Sequence, residues 1–297
     1  MVYLRIVLIA LQASIFTLVF SLGLQATTRD VSYLWKRPSL LFRSLLSMNV
    51  VMPIFAVAMV AAFHLHPAVA AALVLLSVSP VPPFLPRQQL KLGGSSYVFG
   101  LLATEALLAI VLVPLTVNVV GRVFSLNLNM NVGAVAKVVL MTVLAPLALG
   151  ILVRAIMPVW AERMSGPLAR IAMAVVLVAA LPLLFVTWRP MISLIGSGAV
   201  IAIIAFSVVG VVVGYWLGGP EPSERTTLSL ATASRHPGLA MAIASANFSQ
   251  QKRLIGAAIV LYVLVRTIAL VPYNLWTKRR LAQTGPQQEQ DQDRPAA

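Results

Sequence analysis

The chain has 297 residues, 60% of them apolar and only 10% charged, with a mean hydropathy of +0.93. A water-soluble globule carries roughly a quarter of its residues as charges, so a soluble enzyme, a disordered chain and a coiled coil are excluded and a polytopic membrane protein remains. The net charge of +14 comes from Lys and Arg scattered singly between apolar runs, a pattern that orients a chain in a bilayer and does not suit nucleic acid.

A helix needs about 20 apolar residues to cross the roughly 30 Å hydrocarbon layer. In chain order, nine stretches meet that length: 4–25, 39–63, 68–91, 96–121, 132–156, 167–188, 191–217, 226–248 and 252–277. Short connections between them predict an all-α bundle of antiparallel neighbours. The first run follows Arg5 but is too long for a signal peptide, and Arg29, Lys36, Arg37 and Arg43 come after it. Basic residues downstream hold that end in the cytoplasm, so the helix is expected to be retained with its N-terminus outside. Alternating the nine spans places Arg29, Lys36, Arg37, Arg43, Lys91, Arg154, Arg163, Arg170, Arg225, Lys278, Arg279, Arg280 and Arg294 inside. Only Arg5, Arg122, Arg189, Lys252 and Arg253 then fall outside. This bias puts the C-terminus in the cytoplasm. Residues 1–280 read as one transmembrane domain, and the polar stretch 281–297 as a disordered cytoplasmic tail.

Two spans are interrupted. The third contains Pro80, Pro82, Pro83 and Pro86 within seven residues, each lacking an N–H and clashing with an earlier carbonyl, so no continuous helix survives there. The eighth reads Ser234-Arg235-His236-Pro237-Gly238 at its centre. Backbone freed at mid-membrane is tolerated only where protein or a water-filled cavity satisfies it. Two such breaks in corresponding places predict a secondary transporter with inverted repeats, about 1–121 and 132–280, whose half-helix ends meet at a midplane site.

Ionisable residues inside spans cost at least about 2.5–3.5 kcal/mol each; here they are Arg87, Glu105, Lys137, Arg235, His236 and Arg266. Lys137 lies near a helix end and is read as snorkelling. Arg266 either pairs with Glu105 or lines a cavity. Glu105 is either a buried partner for Arg87 or Arg235, or a proton carrier. Arg235 occupies the break itself, where a guanidinium can grip a carboxylate through two parallel hydrogen bonds. The candidate substrate site is therefore Arg235, His236, Arg87, Glu105, Ser234 and Asn49. His64 and His66, without a carboxylate or thiol nearby, make a poor metal site. Cysteine is absent altogether, and no hydrolase or phosphate-loop motif is present, so neither an enzyme nor an ATP-driven pump is expected.

Several stretches together resemble the bile acid:sodium symporter family, including its bacterial members. Phe20-Ser21-Leu22-Gly23-Leu24 is similar to the family's first-helix exit, and Trp35-Lys36-Arg37-Pro38 to its basic-Pro turn. Met52-Pro53 recurs within the next helix, and Ser79-Pro80 stands where the first crossover has Cys-Pro. Gly238-Leu239-Ala240-Met241-Ala242 and Ala246-Asn247-Phe248 resemble the second crossover. The resemblance implies a panel of four helices on a core of six, with crossed broken helices in the core, in a bacterial inner membrane. Nine spans imply that the first panel helix is missing. It also implies departures at the sodium ligands: Ala231, Arg235 and His236 stand for Glu-x-x-x-Gln-Asn, Leu85-Pro86 for Ser-Asn, and Met48, with Asn49 beside it, for Gln. A guanidinium close to Na⁺ in low dielectric repels it by several kcal/mol.

The function expected is secondary transport of a small organic anion across the lipid bilayer, without a cofactor. The coupling ion is left between proton and Na⁺. The alternative is a membrane-embedded binding or sensing protein of the same fold without transport. Nothing in the sequence marks an oligomeric state.

Overall fold

A computed structural model describes residues 2–85, 96–124, 128 and 130–280, and among these no strand occurs. Arg87, Lys91, Pro86 and the expected tail at 281–297 lie outside the described residues. The helices, in chain order, are α1 (Val2–Gly23), α2 (Thr28–Val31), α3 (Pro38–Ala62), α4 (Pro67–Ser77), α5 (Ser96–Val123) and α6 (Val132–Ile156). They continue with α7 (Pro158–Leu194), α8 (Val200–Leu217), α9 (Pro222–Ala233), α10 (Pro237–Asn247) and α11 (Lys252–Ala269). Beyond a turn at Leu270, residues 271–280 are helical again.

Proline at the first turn starts α3, α4, α7, α9 and α10, where its missing N–H costs nothing and its fixed φ is already helical. Two of these starts also share a histidine cap. The His66 ring accepts at Nδ1 from the Ala68 N–H (3.2 Å), and His236 does the same for Leu239 (3.2 Å). His66 is thus a helix cap.

Six helices among the described residues are long and apolar enough to cross a membrane: those at Pro38–Ala62, Ser96–Val123, Val132–Ile156, Pro158–Leu194, Val200–Leu217 and Lys252–Arg280. A count of nine needs α1, of which Ile9–Gly23 is the apolar helical part, and the two interrupted spans to be added. One boundary differs from expectation. Arg189-Pro190 does not separate two spans, because α7 runs unbroken for 37 residues through Pro190. At 1.5 Å per residue it is about 55 Å long. The interruption comes instead at a π turn, Ile195–Ala199, where Gly198 takes a φ of 76°. One proline forfeits a single hydrogen bond in a long apolar helix, whereas a residue with positive φ redirects the chain.

The helices pack in two groups. In one, α1 lies along α6 and α7, and α1 and α6 touch backbone to backbone at Gly23 and Gly150, whose Cα atoms would be 2.7–2.8 Å from a Cβ added to the other. The second group surrounds the largest buried apolar cluster, to which α3, α4, α5, α8, α9, α10 and α11 contribute, joined by Val135, Val139 and Val143 of α6 and by Met191 and Leu194 of α7. Here Gly210 and Gly214 of α8 and Gly218, which caps its end, stand at four-residue spacing against α9. A Cβ at Gly214 would stand 2.5 Å from the Leu228 carbonyl oxygen and the Ser229 Cα. Small residues at this spacing let membrane helices meet at backbone distance, and this stripe seats the half-helix that leads into the second break. The outer face of α7 exposes Ile171, Val178, Phe185 and Trp188, as a lipid-facing helix does.

At one end, the turn before α3 is tied to the start of α9. Glu224 Oε1 accepts from Arg37 Nη1 (2.7 Å) and from the Tyr33 hydroxyl (2.8 Å), while the Arg37 guanidinium stacks 4.5 Å over the Tyr33 ring. Burial and the adjoining Glu224 carboxylate push the Tyr33 hydroxyl up to about 12. Arg37 is half exposed, so the ion pair itself contributes on the order of 1 kcal/mol or less. Alongside, Asp30 accepts from Ser96 Oγ (2.6 Å) and from the Thr27 hydroxyl and N–H. Burial opposes its charge, but these hydrogen bonds outweigh it and hold the carboxyl below its ordinary value.

Candidate functional site

Both expected breaks are present. After α4 the chain is non-helical over 78–84, and between α9 and α10 it is extended at Ser234 and His236. The two breaks join directly, for the His236 N–H donates to the Pro80 carbonyl (2.9 Å). Each interrupted backbone thereby satisfies part of the other, as a bilayer interior demands.

Arg235 stands at this junction and only 1% of its surface is accessible. Its Nη1 donates to the Ser79 carbonyl (3.3 Å) and its Nη2 to the Met48 carbonyl (3.0 Å). Both oxygens are available because proline has removed their helical partners. Ser79 would bond residue 82 or 83 in a tight or regular helix, and both are proline. Around Met48, α3 contains a π turn, Leu46–Val51, in which the Met52 N–H reaches back to Ser47. The residue that would serve Met48 in that pattern is Pro53, which has no N–H. A π turn in a membrane helix commonly marks a functional position, and here it delivers a free carbonyl to the crossing. The sequence held the signal, a mid-span Met-Pro, without showing which carbonyl it releases.

Asn49 follows Met48 and donates from Nδ2 to Glu105 Oε1 (2.9 Å). Glu105 is 1% exposed. It makes no ion pair within 4 Å among the described residues, so it is not the direct salt-bridge partner of Arg235, though the two charges act on each other through space. Arg266 does not pair with Glu105 either. Its Nη1 bonds the Ser234 hydroxyl, its guanidinium lies 5.9 Å from the Phe84 ring, and it keeps 5% exposure. Nearby, the Tyr262 hydroxyl donates to the Ala233 carbonyl (3.0 Å), and Ser47 and Thr232 share a hydroxyl–hydroxyl bond of 2.7 Å. Arg266 and Tyr262 are the members of this cluster that the sequence reading left outside the site.

Of the expected site residues, Ser234, Arg235 and His236 come together with Asn49 and Glu105 around the junction, while Arg87 lies outside the described residues. Three buried nitrogens there have no hydrogen-bond partner among the described residues: Arg235 Nε, Arg266 Nε and His236 Nε2. Among the described residues the cluster thus holds two guanidinium groups, Arg235 and Arg266, and one carboxylate, Glu105, an excess of positive charge in a low-dielectric interior.

Long apolar helices packed around crossed, interrupted ones form the architecture of a membrane transporter. The chain matches the Sodium Bile acid symporter family over residues 13–214, more than half its length, and it belongs to that family. The protein is accordingly an integral membrane protein of a transport family. The match runs from midway along α1 to most of α8 and stops before the break at Ser234–Pro237. A comparison with curated proteins finds no match.

Proposed function

We propose that the protein is a secondary transporter of a small organic anion, acting where 78–84 crosses 234–236, within a nine-span inverted-repeat frame whose N-terminus is outside. The observation that carries this reading is the buried excess of positive charge at the crossing. An unpaired guanidinium out of water is costly, and an anionic substrate would compensate it. Half-helix α10 adds its positive dipole end at the same place. Arg235 supplies charge from a fixed position, since both terminal nitrogens are engaged by carbonyls. Arg266, with a free Nε and its link to Ser234, is the better placed to meet a carboxylate directly, with His236, Asn49 and Glu105 completing the surroundings.

The test is uptake of a panel of labelled carboxylates into proteoliposomes, paired with binding to the purified protein. Saturable uptake of at least one carboxylate is expected. Losing a desolvated charged hydrogen bond costs about 2–5 kcal/mol, so Arg266→Ala should weaken anion binding on the order of 30-fold or more, with Arg266→Lys recovering part of it. Binding without uptake would favour a membrane-embedded sensor of the same fold. Neither binding nor uptake of any anion would sink the proposal.

A further inference from the structure

The family is named for sodium, and the crossing holds groups of the kind that bind such an ion. In transporters of this architecture, coupling cations bind to carbonyl oxygens released where helices unwind. The released carbonyls are present here: Ser79 O, whose helical partners are Pro82 and Pro83, and Met48 O, whose partner in the π turn is Pro53. A buried carboxylate, Glu105, is held beside them by Asn49. Both carbonyls already bind a positive charge, however, and it belongs to the chain itself. The Arg235 guanidinium donates to Met48 O at 3.0 Å and to Ser79 O at 3.3 Å.

We propose that Arg235 is a tethered cation that fills the cation position at the crossing of the two broken helices, so that the protein folds and works without Na⁺.

Several features converge on this assignment. The guanidinium is almost wholly buried and bridges two elements far apart in sequence, α3 and the first break. Its acceptors are neutral backbone oxygens, and no carboxylate lies within 4 Å of it among the described residues. An arginine held only for charge neutralisation would be expected against Glu105, whereas this one sits in a carbonyl cradle. A free Na⁺ at the same oxygens would lie in contact with the guanidinium. At an effective dielectric of about 20, that repulsion weakens its binding on the order of a thousandfold. The residues present therefore do not fit a second cation. That the working cycle runs without Na⁺ rests on the transport reading above; that Arg235 occupies the cation position does not.

The experiment is a thermal melt of the purified full-length protein in which NaCl replaces choline chloride at constant ionic strength. A ligand that binds only the folded state raises the melting temperature in a saturable way. The wild type should be indifferent to Na⁺. Arg235→Ala, with the carbonyls and Glu105 left without a cation, should melt lower and be restored saturably by millimolar Na⁺ or by millimolar guanidinium. Arg235→Lys keeps a tethered charge, so it should fold and stay indifferent to Na⁺. If Arg235→Ala does not fold, the wild type and Arg235→Lys decide the matter. Saturable stabilisation of either by Na⁺ overturns the proposal, and so does a folded Arg235→Ala that responds to neither cation. The readout needs no anion. If the melts behave as expected and no anion moves, the transport reading falls while the tethered cation stands. Should uptake occur but depend on Na⁺, the tethered cation falls and the transport reading stands.

Discussion

Asn49 donates to Glu105 across 2.9 Å, one residue along α3 from the carbonyl that holds Arg235. One turn of helix therefore serves a carboxylate with a side chain and a guanidinium with its backbone. The π turn makes this possible, because it displaces the Met48 carbonyl from the helical ladder while keeping Asn49 directed at α5.

Removing the Asn49 amide leaves a buried carboxylate without its donor. Asn49→Leu should cost about 1–3 kcal/mol, the price of an unsatisfied buried polar group, and lower the melting temperature. Asn49→Leu combined with Glu105→Leu should recover much of that loss, since neither polar group then remains. Melting curves for the four proteins of this cycle give the result. Strictly additive effects would mean that the hydrogen bond contributes nothing to stability.

The glycine stripe on α8 predicts opposite effects for two glycine substitutions. A Cβ at Gly214 would fall 2.5 Å from the α9 backbone, whereas one at Gly166 meets nothing within 4 Å. Gly214→Leu should displace α9 and cost about 1–3 kcal/mol or more through overpacking. Gly166→Ala lies within α7 and should stabilise by about 0.5–1 kcal/mol, because alanine loses less backbone entropy in a helix. Detergent-solubilised yield and melting temperature report both. A Gly214→Leu protein as stable as wild type would show that α8 and α9 do not approach this closely.

Acid should weaken the turn around Asp30. Its carboxyl is depressed below its ordinary value of 3.8 in the folded protein, so its charged form favours folding. That stabilisation is complete above the unfolded value and is lost as pH falls through the lower, folded one. Asp30→Asn should therefore lower stability near neutral pH and flatten the acid limb of the melting curve below about pH 4. An unchanged acid limb in the variant would assign the acid sensitivity to other groups.

Orientation can be read by labelling, since the chain has no cysteine of its own. Ser39 and His64 are exposed at opposite ends of α3. With the N-terminus outside, an impermeant thiol reagent added to intact cells should label His64→Cys and spare Ser39→Cys. The reverse pattern would invert the topology.

Much of the architecture was legible in the chain. The breaks at Pro80–Pro83 and at Ser234–Pro237 could be placed because a missing N–H acts on its own turn of helix. The run through Arg189-Pro190 misled for a related reason. A proline announces a lost hydrogen bond, but whether the helix ends there depends on what surrounds it, and α7 continues to Leu194. The glycines of the α8 stripe stood in plain view at four-residue spacing, and only their contact with α9 gives that spacing a meaning.

The sequence by itself determined that this is a membrane protein with two interrupted helices, since hydropathy and proline chemistry act over a few neighbouring residues. Tertiary structure alone decided the partners: Arg235 with Met48 and Ser79, Arg266 with Ser234 and not Glu105, and His236 with Pro80. Arg235 is 187 residues from Met48 and 156 from Ser79. In a low-dielectric interior an unpaired buried donor is costly, yet which acceptor a donor finds is set by how the helices cross, and no local pattern encodes that.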